Sequence, residues 1–460
     1  MKESIHIYFT SDLHSYFQSW PYTMQSISQK INQHEEDGEF YLLLDNGDHM
    51  DRVHPITEAS LGQANVSLLN AANYHAVTLG NNEGITLPED ELYHLYDEAT
   101  FDVVCANLQA ASRKNPNWLA PYKIYETKHQ TRIAVIGLTA PFQLFYEKLN
   151  WTALNPFDVL DDLIPDLESK ADVIIVLSHL GINDDEAIAR NYNVDAIIGG
   201  HTHHLLEKSK TVNGSTIHAA GKNGLYYGEV FIEYDHKTKE LVTNHGSALL
   251  NASTPHKQTS ELLNQLEIEA NDKLNQAVAN LQGDLPINWY EETTLMKSFV
   301  QTLKEWTGAE AAMLNSGVLL EGFKKGMVTK KAVHQSCPHP MNPCTMILTG
   351  KELLEAIRML ESDHYINFEL KGLGFRGKKI GKMIYDDIEL HYHEDSNYVE
   401  QIYLKGEAVE AQRYYKIATA DTFSFSWLLP PISTVKEKHY YMPEFLRDVL
   451  EVCLANIGRN

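Results

Sequence analysis

The sequence predicts an α/β protein with two domains joined by a helix. Three observations support this fold class: a length of 460 residues, an alternation of strand-like and helix-like segments in the first half, and one long amphipathic segment near the middle. A chain of this length can form two or three domains with substantial cores. Its composition, 43% hydrophobic and 22% charged residues, is typical of a globular protein.

Strand-like and helix-like segments alternate in the first half, which favours a sheet flanked by helices. The helix candidates include Asp158–Glu168 and Asp184–Asn191. Two further segments, Thr216–Ala220 and Glu229–Tyr234, are more typical of an antiparallel addition to the sheet. The strand candidates are short apolar runs, namely Ile5–Phe9, Tyr41–Leu44, Ala76–Leu79, Phe101–Ala106, Ile133–Gly137, Val173–Leu177 and Ala196–Ile198.

A helix is predicted between the two halves of the chain. Apolar residues from Leu262 to Leu281 recur at helical spacing with acidic residues between them. Gly283 and Pro286 are the expected stop signals. We therefore predict a first domain of residues 1–257, a linking helix of residues 258–284 and a second α/β domain of residues 285–460.

The charge balance bears on the ligands that the protein can bind. There are 38 basic and 62 acidic side chains, which give a formal net charge of −24. Such a surface repels nucleic-acid polymers and anionic membranes, so we expect neither as a partner. A small anionic substrate needs a local positive centre, which a bound metal can provide. The oligomeric state stays open at this point.

The amino terminus and the cysteines favour a cytoplasmic location. Met1 to Ser4 run directly into the first strand candidate, without the basic region, apolar stretch and cleavage site of a secretory signal. No run of about 18 apolar residues predicts a transmembrane helix. The four cysteines are widely spaced, which suits a reducing compartment rather than a disulfide framework: Cys105, Cys337, Cys344 and Cys453.

Polar side chains follow five of the predicted strands, at the edge where open α/β sheets carry ligand sites. Any one of these sets could be an ordinary turn or a structural histidine. Together they combine carboxylates, amide oxygens and imidazoles, which suit divalent metals such as Mn, Fe, Zn, Co or Ni. We therefore predict a shared metal site. The five sets are Asp12-Leu13-His14, Asp48 within Asp45–Arg52, Gly80-Asn81-Asn82-Glu83, Ser178-His179 and Gly199–His204.

The order of these motifs resembles the signature of the calcineurin-like metallophosphoesterases: Asp-x-His, Gly-Asp, Gly-Asn-x-Glu, a single His and Gly-His-x-His. The two-domain layout resembles the family of 5′-nucleotidases and 2′,3′-cyclic-nucleotide phosphodiesterases, and the missing signal peptide resembles its cytosolic bacterial branch. The resemblance implies a four-layer α-β-β-α first domain. It also implies a C-terminal α/β domain of the nucleotidase type that binds the nucleotide.

The resemblance further implies two divalent metal ions and a reaction. Asp12, His14, Asp48 and His203 would hold the first ion. Asp48, Asn81, His179 and His201 would hold the second ion, with Asp48 as the bridge. A metal-bridging hydroxide would then release phosphate from a nucleoside 5′-monophosphate or a related nucleotide. A cyclic-nucleotide phosphodiesterase and a nucleotide pyrophosphatase are alternatives, and a weakly active, metal- and nucleotide-binding regulatory protein is an alternative of another class.

Three residues near these motifs are catalytic candidates. Asn82 stands where the family has a histidine that acts on the transition state or leaving group, and an amide cannot act as a general acid. Arg52 resembles the arginine that grips phosphate in related protein phosphatases, and an ordinary surface role beside Asp51 is the alternative. His49 could substitute for the missing histidine, or it could be structural.

The substrate-binding candidates lie in the second domain. The segment around Asn315 resembles the family's Asn-x-Gly-x-x-Arg phosphate loop, but Leu320 occupies the arginine position. Arg376, next to Phe375 in a basic glycine-rich loop, could supply that charge, and a solvated turn is the alternative.

Aromatic side chains are the candidates for binding a base. Phe423 and Trp427 follow a segment that resembles the family's Asn-Asp-aromatic loop. They could stack on a base, and core packing is the alternative. If the substrate is a nucleotide, we expect its base and sugar to bind in a crevice between the two domains.

Overall fold

The computed structural model describes residues 2–396, 398–425 and 428–459. The chain divides into two compact units, Met1–Ala270 and Asn271–Asn460. The domain limits at residues 257 and 284 stay a prediction. Among the helices in the described ranges, none combines the length and the hydropathy that crossing a membrane requires.

The first unit contains two main sheets, of seven and six strands. In spatial order, the first sheet consists of Glu240–Leu250, Tyr226–Asp235, Lys2–Thr10, Phe40–Asp45, Ala76–Val77, Asp102–Val104 and Leu119–Ala120. The second consists of Lys210–Val212, Ser215–His218, Ala196–Gly199, Val173–His179, Arg132–Thr139 and Tyr122–Glu126. A small third sheet pairs Leu108–Ala110 with Trp151–Ala153.

The two main sheets pack face to face. Alternate residues of each strand point to opposite sides of the sheet, so one strand contributes side chains to two separate clusters. Ile133 and Val135 share a buried cluster with Ile5 and Ile7 of the first sheet. Their neighbour Ala134 belongs to another buried cluster, which includes residues of flanking helices. The helices of this unit are Trp20–Asp37, Pro55–Ser60, Gln63–Ala71, Asn81–Ile85, Glu89–His94, Gln143–Lys148, Pro156–Leu167, Ile182–Asn191 and Lys257–Leu274, which ends four residues past this unit.

The second unit is also α/β, as expected. Its main sheet has the spatial order Met383–Asp386, Ala311–Asn315, Tyr414–Ala420, Pro343–Thr349 and Lys438–Tyr440. A three-stranded sheet contains Ile388–Tyr392, Val399–Leu404 and Glu407–Ala408, and a two-stranded sheet pairs Ala277–Leu281 with Gly326–Thr329. The helices are Thr294–Thr307, Lys330–Ser336, Gly350–Leu360, Asp363–Ile366, Pro430–Ser433 and Leu446–Arg459, with short 3-10 turns at Ser316–Val318 and Asp421–Ser424.

The predicted fold class is confirmed, and two details differ. The linking helix ends at Leu274, and the prediction of a helix to Leu281 is wrong because Ala277–Leu281 forms a strand paired with Gly326–Thr329. The segment expected as an antiparallel addition at Thr216–Ala220 forms the strand Ser215–His218, which runs antiparallel to Lys210–Val212 but parallel to Ala196–Gly199. The apolar pattern was present in both segments, but strand pairing depends on partners that lie far away in sequence.

Candidate metal centre

The candidate site lies where parallel strands of both sheets end. Asp12, Asp48 and Asn81 each follow a parallel strand of the first sheet. His179 ends a strand of the second sheet, and His201 follows its parallel neighbour. Since parallel strands end at the same edge of a sheet, the fold collects these five polar side chains at one place.

The side chains expected for the first metal lie in one cluster. Ligand atoms of Asp12, His14 and His203 all lie within 4.8 Å of one another. The two Nε2 atoms of His14 and His203 are 2.9 Å apart. Nε2 of His14 lies 3.8 Å from Oδ2 of Asp48, which connects this group to the second one.

The side chains expected for the second metal adjoin the first group. Ligand atoms of Asp12, Asp48 and His179 lie within 4.8 Å of one another, and Nε2 of His179 is 3.4 Å from Oδ1 of Asp48. Nδ1 of His201 lies 2.8 Å from Oδ1 of Asn81. The ring of His201 is 5.4 Å from that of His179, measured between centroids. The fold thus brings together all seven residues that the sequence singled out as metal ligands.

The backbone at these positions adopts a rare conformation. Residues other than glycine seldom have a positive φ angle, and such strain persists only where the surrounding structure maintains it, often at functional sites. Five of the seven candidate ligands have this conformation: Asp12 (52°), His14 (49°), Asp48 (49°), His201 (66°) and His203 (57°). Asp and His tolerate this conformation better than most residues, and its concentration at five candidate ligands indicates that the loops are shaped for their side chains.

Two glycines allow the loops to approach closely. A Cβ atom on Gly80 would lie 2.1 Å from Oδ1 of Asp48. A Cβ atom on Gly200 would lie 2.7 Å from Oγ of Ser11 and 3.0 Å from Oδ2 of Asp12. A side chain at either position would therefore displace a candidate metal ligand.

Burial and close contact determine the charges in the cluster. Burial alone would raise the pKa of Asp48, but His179 and His14 hold it below its ordinary value. Burial alone would lower the pKa of His179, yet the carboxylates of Asp48 and Asp12 raise it to about 10. The imidazolium of His179 therefore supplies positive charge that the buried carboxylates require, and a bound cation would take over that task because metal binding releases protons from its ligands.

Burial lowers the pKa of both histidines of the Gly-His-x-His motif. Burial, together with the neighbouring histidine His179, lowers the pKa of His201 to about 4. Burial and the nearby His14 lower the pKa of His203 to about 3. Neutral imidazole is the form that binds metal, so both side chains are ready to act as ligands at neutral pH.

The donor set fits a divalent metal. Nδ1 of His179 donates a hydrogen bond to the carbonyl oxygen of Asn46 at 2.7 Å, the arrangement that typically orients a metal-binding histidine. Nε2 of His179 is buried and faces Oδ1 of Asp48 at 3.4 Å. Combined with carboxylates and an amide oxygen, these imidazoles match the ligands of first-row transition metals.

Glu83 organises the centre, although the sequence did not single it out for a role. Its carboxylate accepts hydrogen bonds from the backbone N–H groups of Asp48 (2.9 Å), Gly80 (2.8 Å) and Met50 (3.0 Å). It therefore joins the loops that follow two strands. Burial and the charge of Asp48 raise the pKa of Glu83 to about 7. The Gly-Asn-x-Glu spacing was the available signal, but its backbone partners become evident only in the fold.

Asn82 lies directly against the cluster. Its side-chain nitrogen is 2.9 Å from Nδ1 of His14 and donates to the carbonyl oxygen of Met50 at 3.0 Å. Its backbone N–H donates to Oδ1 of Asp48 at 2.8 Å. Asn82 therefore contacts one candidate ligand with its side chain and another with its backbone.

Arg52 is held by protein groups in this structure. Its guanidinium forms two hydrogen bonds with the carboxylate of Glu58, at 2.8 and 3.1 Å, and a third with the carbonyl oxygen of Thr86 at 2.7 Å. The side chains of Arg52 and Glu58 are 9% and 14% exposed. This burial argues against an ordinary surface role beside Asp51, and the contacts favour a structural ion pair over a phosphate grip.

His49 is packed inside the first unit. Its ring lies edge-on to Trp20, with 4.8 Å between centroids, and its Nδ1 is 3.1 Å from the side-chain nitrogen of Asn65. Burial lowers its pKa to about 3. A buried, neutral imidazole with these contacts favours the structural role that we considered for His49 over the catalytic one.

The substrate-binding candidates of the second unit are mostly internal. Phe423 is 1% exposed, and Phe375 is 3% exposed and stacks on His339, so core packing accounts for both rings. Asn315 is buried and donates to the carbonyl oxygen of Ile380 at 2.8 Å.

Of the remaining two candidates, Arg376 lies within the described residues. Arg376 is half-buried, and its guanidinium donates to the carbonyl oxygen of Phe375 at 3.3 Å. Trp427 lies outside the described residues.

Comparison with known proteins agrees with this centre. Residues 5–205 match the family model of the calcineurin-like phosphoesterases, and residues 273–426 match that of the 5′-nucleotidase C-terminal domain. The uncharacterized metallophosphoesterase YunD of Bacillus subtilis is 41% identical over 461 residues, which cover 99% of this chain and 100% of that protein.

More distant relatives carry nucleotidase names. The 5′-nucleotidase of Vibrio vulnificus is 25% identical over 398 residues, which cover 73% of this chain and 71% of that protein. The crystal structure of a putative 5′-nucleotidase from Staphylococcus aureus has a similar fold, with a TM-score of 0.70 at 20% identity over 99% of this chain and 97% of that chain. The chain therefore belongs to the calcineurin-like metallophosphoesterases, a family of metal-dependent hydrolases, and carries a C-terminal domain of the 5′-nucleotidase type.

Proposed function

We propose that the protein hydrolyses the phosphate ester of a small nucleotide, a nucleoside 5′-monophosphate in the first place, at two bound divalent metal ions. The observation that carries this proposal is the convergence of buried carboxylates, imidazoles and an amide at the ends of parallel strands. Asp12, His14, Asp48 and His203 would hold one ion. Asp48, Asn81, His179 and His201 would hold the other, with Asp48 shared between them.

The bound ions would supply positive charge that neutralises phosphate oxygens and lowers the pKa of water. The chain's own residues keep this centre in place. Glu83 fixes the loop that carries Asp48 by accepting its backbone N–H. The carbonyl of Asn46 orients His179, and the side chain of Asn82 contacts His14.

The leaving group must obtain its proton without help from Asn82. An amide cannot donate a proton to a departing alkoxide near neutral pH, and a positioned general acid is worth about 10²–10⁴ in rate. Esters with acidic leaving groups do not need this proton. We therefore expect the rate of the chemical step to fall more steeply with the pKa of the leaving group than it does in an enzyme that has a histidine at this position.

The second domain supports a nucleotide as the substrate. Its sequence matches the C-terminal domain of 5′-nucleotidases, and the relative from Vibrio vulnificus is named a 5′-nucleotidase. We propose that Asn315 and Arg376 belong to the region that binds the nucleotide. We also propose a cytoplasmic location, because the four cysteines are buried and free, as suits a reducing compartment.

The substrate can be tested with a panel of phosphate esters and the Mn²⁺-loaded protein. We expect the highest kcat/KM for a nucleoside 5′-monophosphate, and lower values for 2′,3′-cyclic nucleotides, NAD and p-nitrophenyl phosphate. Phosphate release is the measurement, with the Asp48→Asn variant as the inactive control. If NAD or a cyclic nucleotide were cleaved faster than the nucleoside 5′-monophosphate, that compound would be the substrate instead. If the wild-type protein released phosphate from every ester no faster than Asp48→Asn does, the proposed enzymatic activity would be wrong and the regulatory alternative would be favoured.

The contact between Asn82 and His14 predicts a role in metal binding. Removing a group that orients a metal ligand typically weakens metal affinity about 10–100-fold. We expect this loss in Asn82→Ala, measured as the Kd for Mn²⁺ by calorimetry, while Asn155→Ala, the same change at a helix start outside the cluster, keeps the original Kd. An unchanged Kd combined with a lower kcat would show instead that Asn82 acts on the substrate.

The ion pair of Arg52 predicts an effect on stability. Removing one partner of a largely buried ion pair deprives the other of its opposite charge in this pair, so Arg52→Ala and Glu58→Ala should each lower the free energy of unfolding by roughly 3 kcal/mol. The exposed pair Arg190–Glu186 provides the control, because Arg190→Ala should cost less than about 1 kcal/mol. Denaturant unfolding measures these values. If Arg52→Ala instead raised KM and left stability unchanged, Arg52 would be a phosphate ligand.

A further inference from the structure

A second cluster of potential metal ligands lies in the first unit, apart from the metal centre. His6, His34, Glu39 and Glu229 form it, and we call it the histidine–glutamate cluster. Glu39 directly precedes the strand Phe40–Asp45, whereas the metal centre lies past the other end of that strand. Six residues of strand span about 20 Å, so the two clusters are separate.

Three ligand atoms of this cluster face one another. One ligand atom from each of His6, His34 and Glu39 lies within 4.8 Å of the other two. The carboxylate oxygen of Glu39 is 2.8 Å from Nδ1 of His34 and 3.5 Å from Nε2 of His6. The same oxygen thus faces both imidazoles.

The hydroxyl group of Tyr8 connects His34 to Glu229. It lies 2.8 Å from Nε2 of His34 and 3.1 Å from Oε1 of Glu229. A tyrosine has a single hydroxyl hydrogen, and when that hydrogen is donated to Glu229, Nε2–H of His34 donates to Tyr8. In this tautomer of neutral His34 the lone pair of Nδ1 points at the carboxylate of Glu39, and a cation between the two atoms satisfies both.

His6 repeats this arrangement. Its Nδ1 lies 3.1 Å from Oε1 of Glu229 and donates to it, which leaves the lone pair of Nε2 on the side of Glu39. With these tautomers, protons would satisfy both contacts only by making both rings cationic, although the two rings stack with 4.0 Å between centroids. Two like charges at this distance repel each other. One divalent cation satisfies both lone pairs and the carboxylate together.

We propose that the histidine–glutamate cluster binds Zn²⁺ through Nε2 of His6, Nδ1 of His34 and the carboxylate of Glu39, with water as a fourth ligand. Tetrahedral zinc sites use nitrogen and oxygen ligands whose atoms are about 3.4 Å apart. The 3.5 Å between His6 and Glu39 matches this spacing. The 2.8 Å between His34 and Glu39 opens by a rotation of Glu39, whose side chain is 39% exposed.

The neighbouring groups are those that such a site needs. With zinc on Nδ1 of His34 and Nε2 of His6, the other N–H group of each ring would donate to Tyr8 and Glu229 respectively, and hydrogen bonds of this kind orient metal-binding imidazoles. The site would connect the C-terminal end of the helix Trp20–Asp37 to the strand Lys2–Thr10 and to the start of the strand Phe40–Asp45. The zinc would therefore stabilise the first unit rather than take part in the reaction.

The test counts zinc bound to the full-length protein after dialysis against Zn²⁺-containing and then Zn²⁺-free buffer. Elemental analysis should find one equivalent per chain less in His6→Gln and in Glu39→Gln than in the wild type. His236→Gln is the matched control. His236 pairs with Glu3 at 3.0 Å, and no third ligand atom joins them in the part of the chain that the structure describes.

Glu39→Gln keeps the size of a half-exposed side chain, so it tests the proposal even if His6→Gln fails to fold. As a second readout, chelation should lower the Tm of the wild type and of His236→Gln more than that of Glu39→Gln, because only the first two lose zinc from this cluster. Equal zinc content in the wild type and in Glu39→Gln would show that the cluster binds protons alone, and the proposal would be wrong.

Discussion

The complete burial of two carboxylates is the constraint on which the rest of the first unit depends. Asp12 and Asp48 are 0% and 2% exposed, and a buried carboxylate is strongly unfavourable unless it is paired and hydrogen-bonded. Backbone N–H groups of the loops donate hydrogen bonds to both carboxylates: that of His201 to Asp12 at 3.0 Å, and that of Asn82 to Asp48 at 2.8 Å. Divalent cations would complete the neutralisation.

The sequence was sufficient to predict the α/β fold and to single out the side chains that the fold brings together in the candidate metal centre. Each candidate ligand, such as Asp48 or His179, combines a metal-binding side chain with a position directly after a buried apolar run. Both properties are local, and parallel pairing then brings the strand ends together. The helix predicted to Leu281 was wrong because the same apolar spacing also fits a strand, and pairing with Gly326–Thr329 decided between them.

Roles that depend on distant partners could not be predicted. Arg52 has the right chemistry and position for a phosphate ligand, but Glu58 occupies its guanidinium. Phe423 has the right chemistry to stack on a base, but its ring is buried in the second unit. Glu83 had a recognisable spacing, while its three backbone donors come from two loops that only the fold joins. Burial and partner choice are tertiary properties, and one sequence does not contain them explicitly.

The central claim is that the buried carboxylates hold two cations with Asp48 between them. The most direct measurement is anomalous diffraction from crystals of the protein grown with Mn²⁺. The account predicts two anomalous peaks at the metal centre, about 3.5–4 Å apart as in two-metal sites, one on each side of Asp48. A single peak there, or two peaks of which only one contacts Asp48, would contradict it.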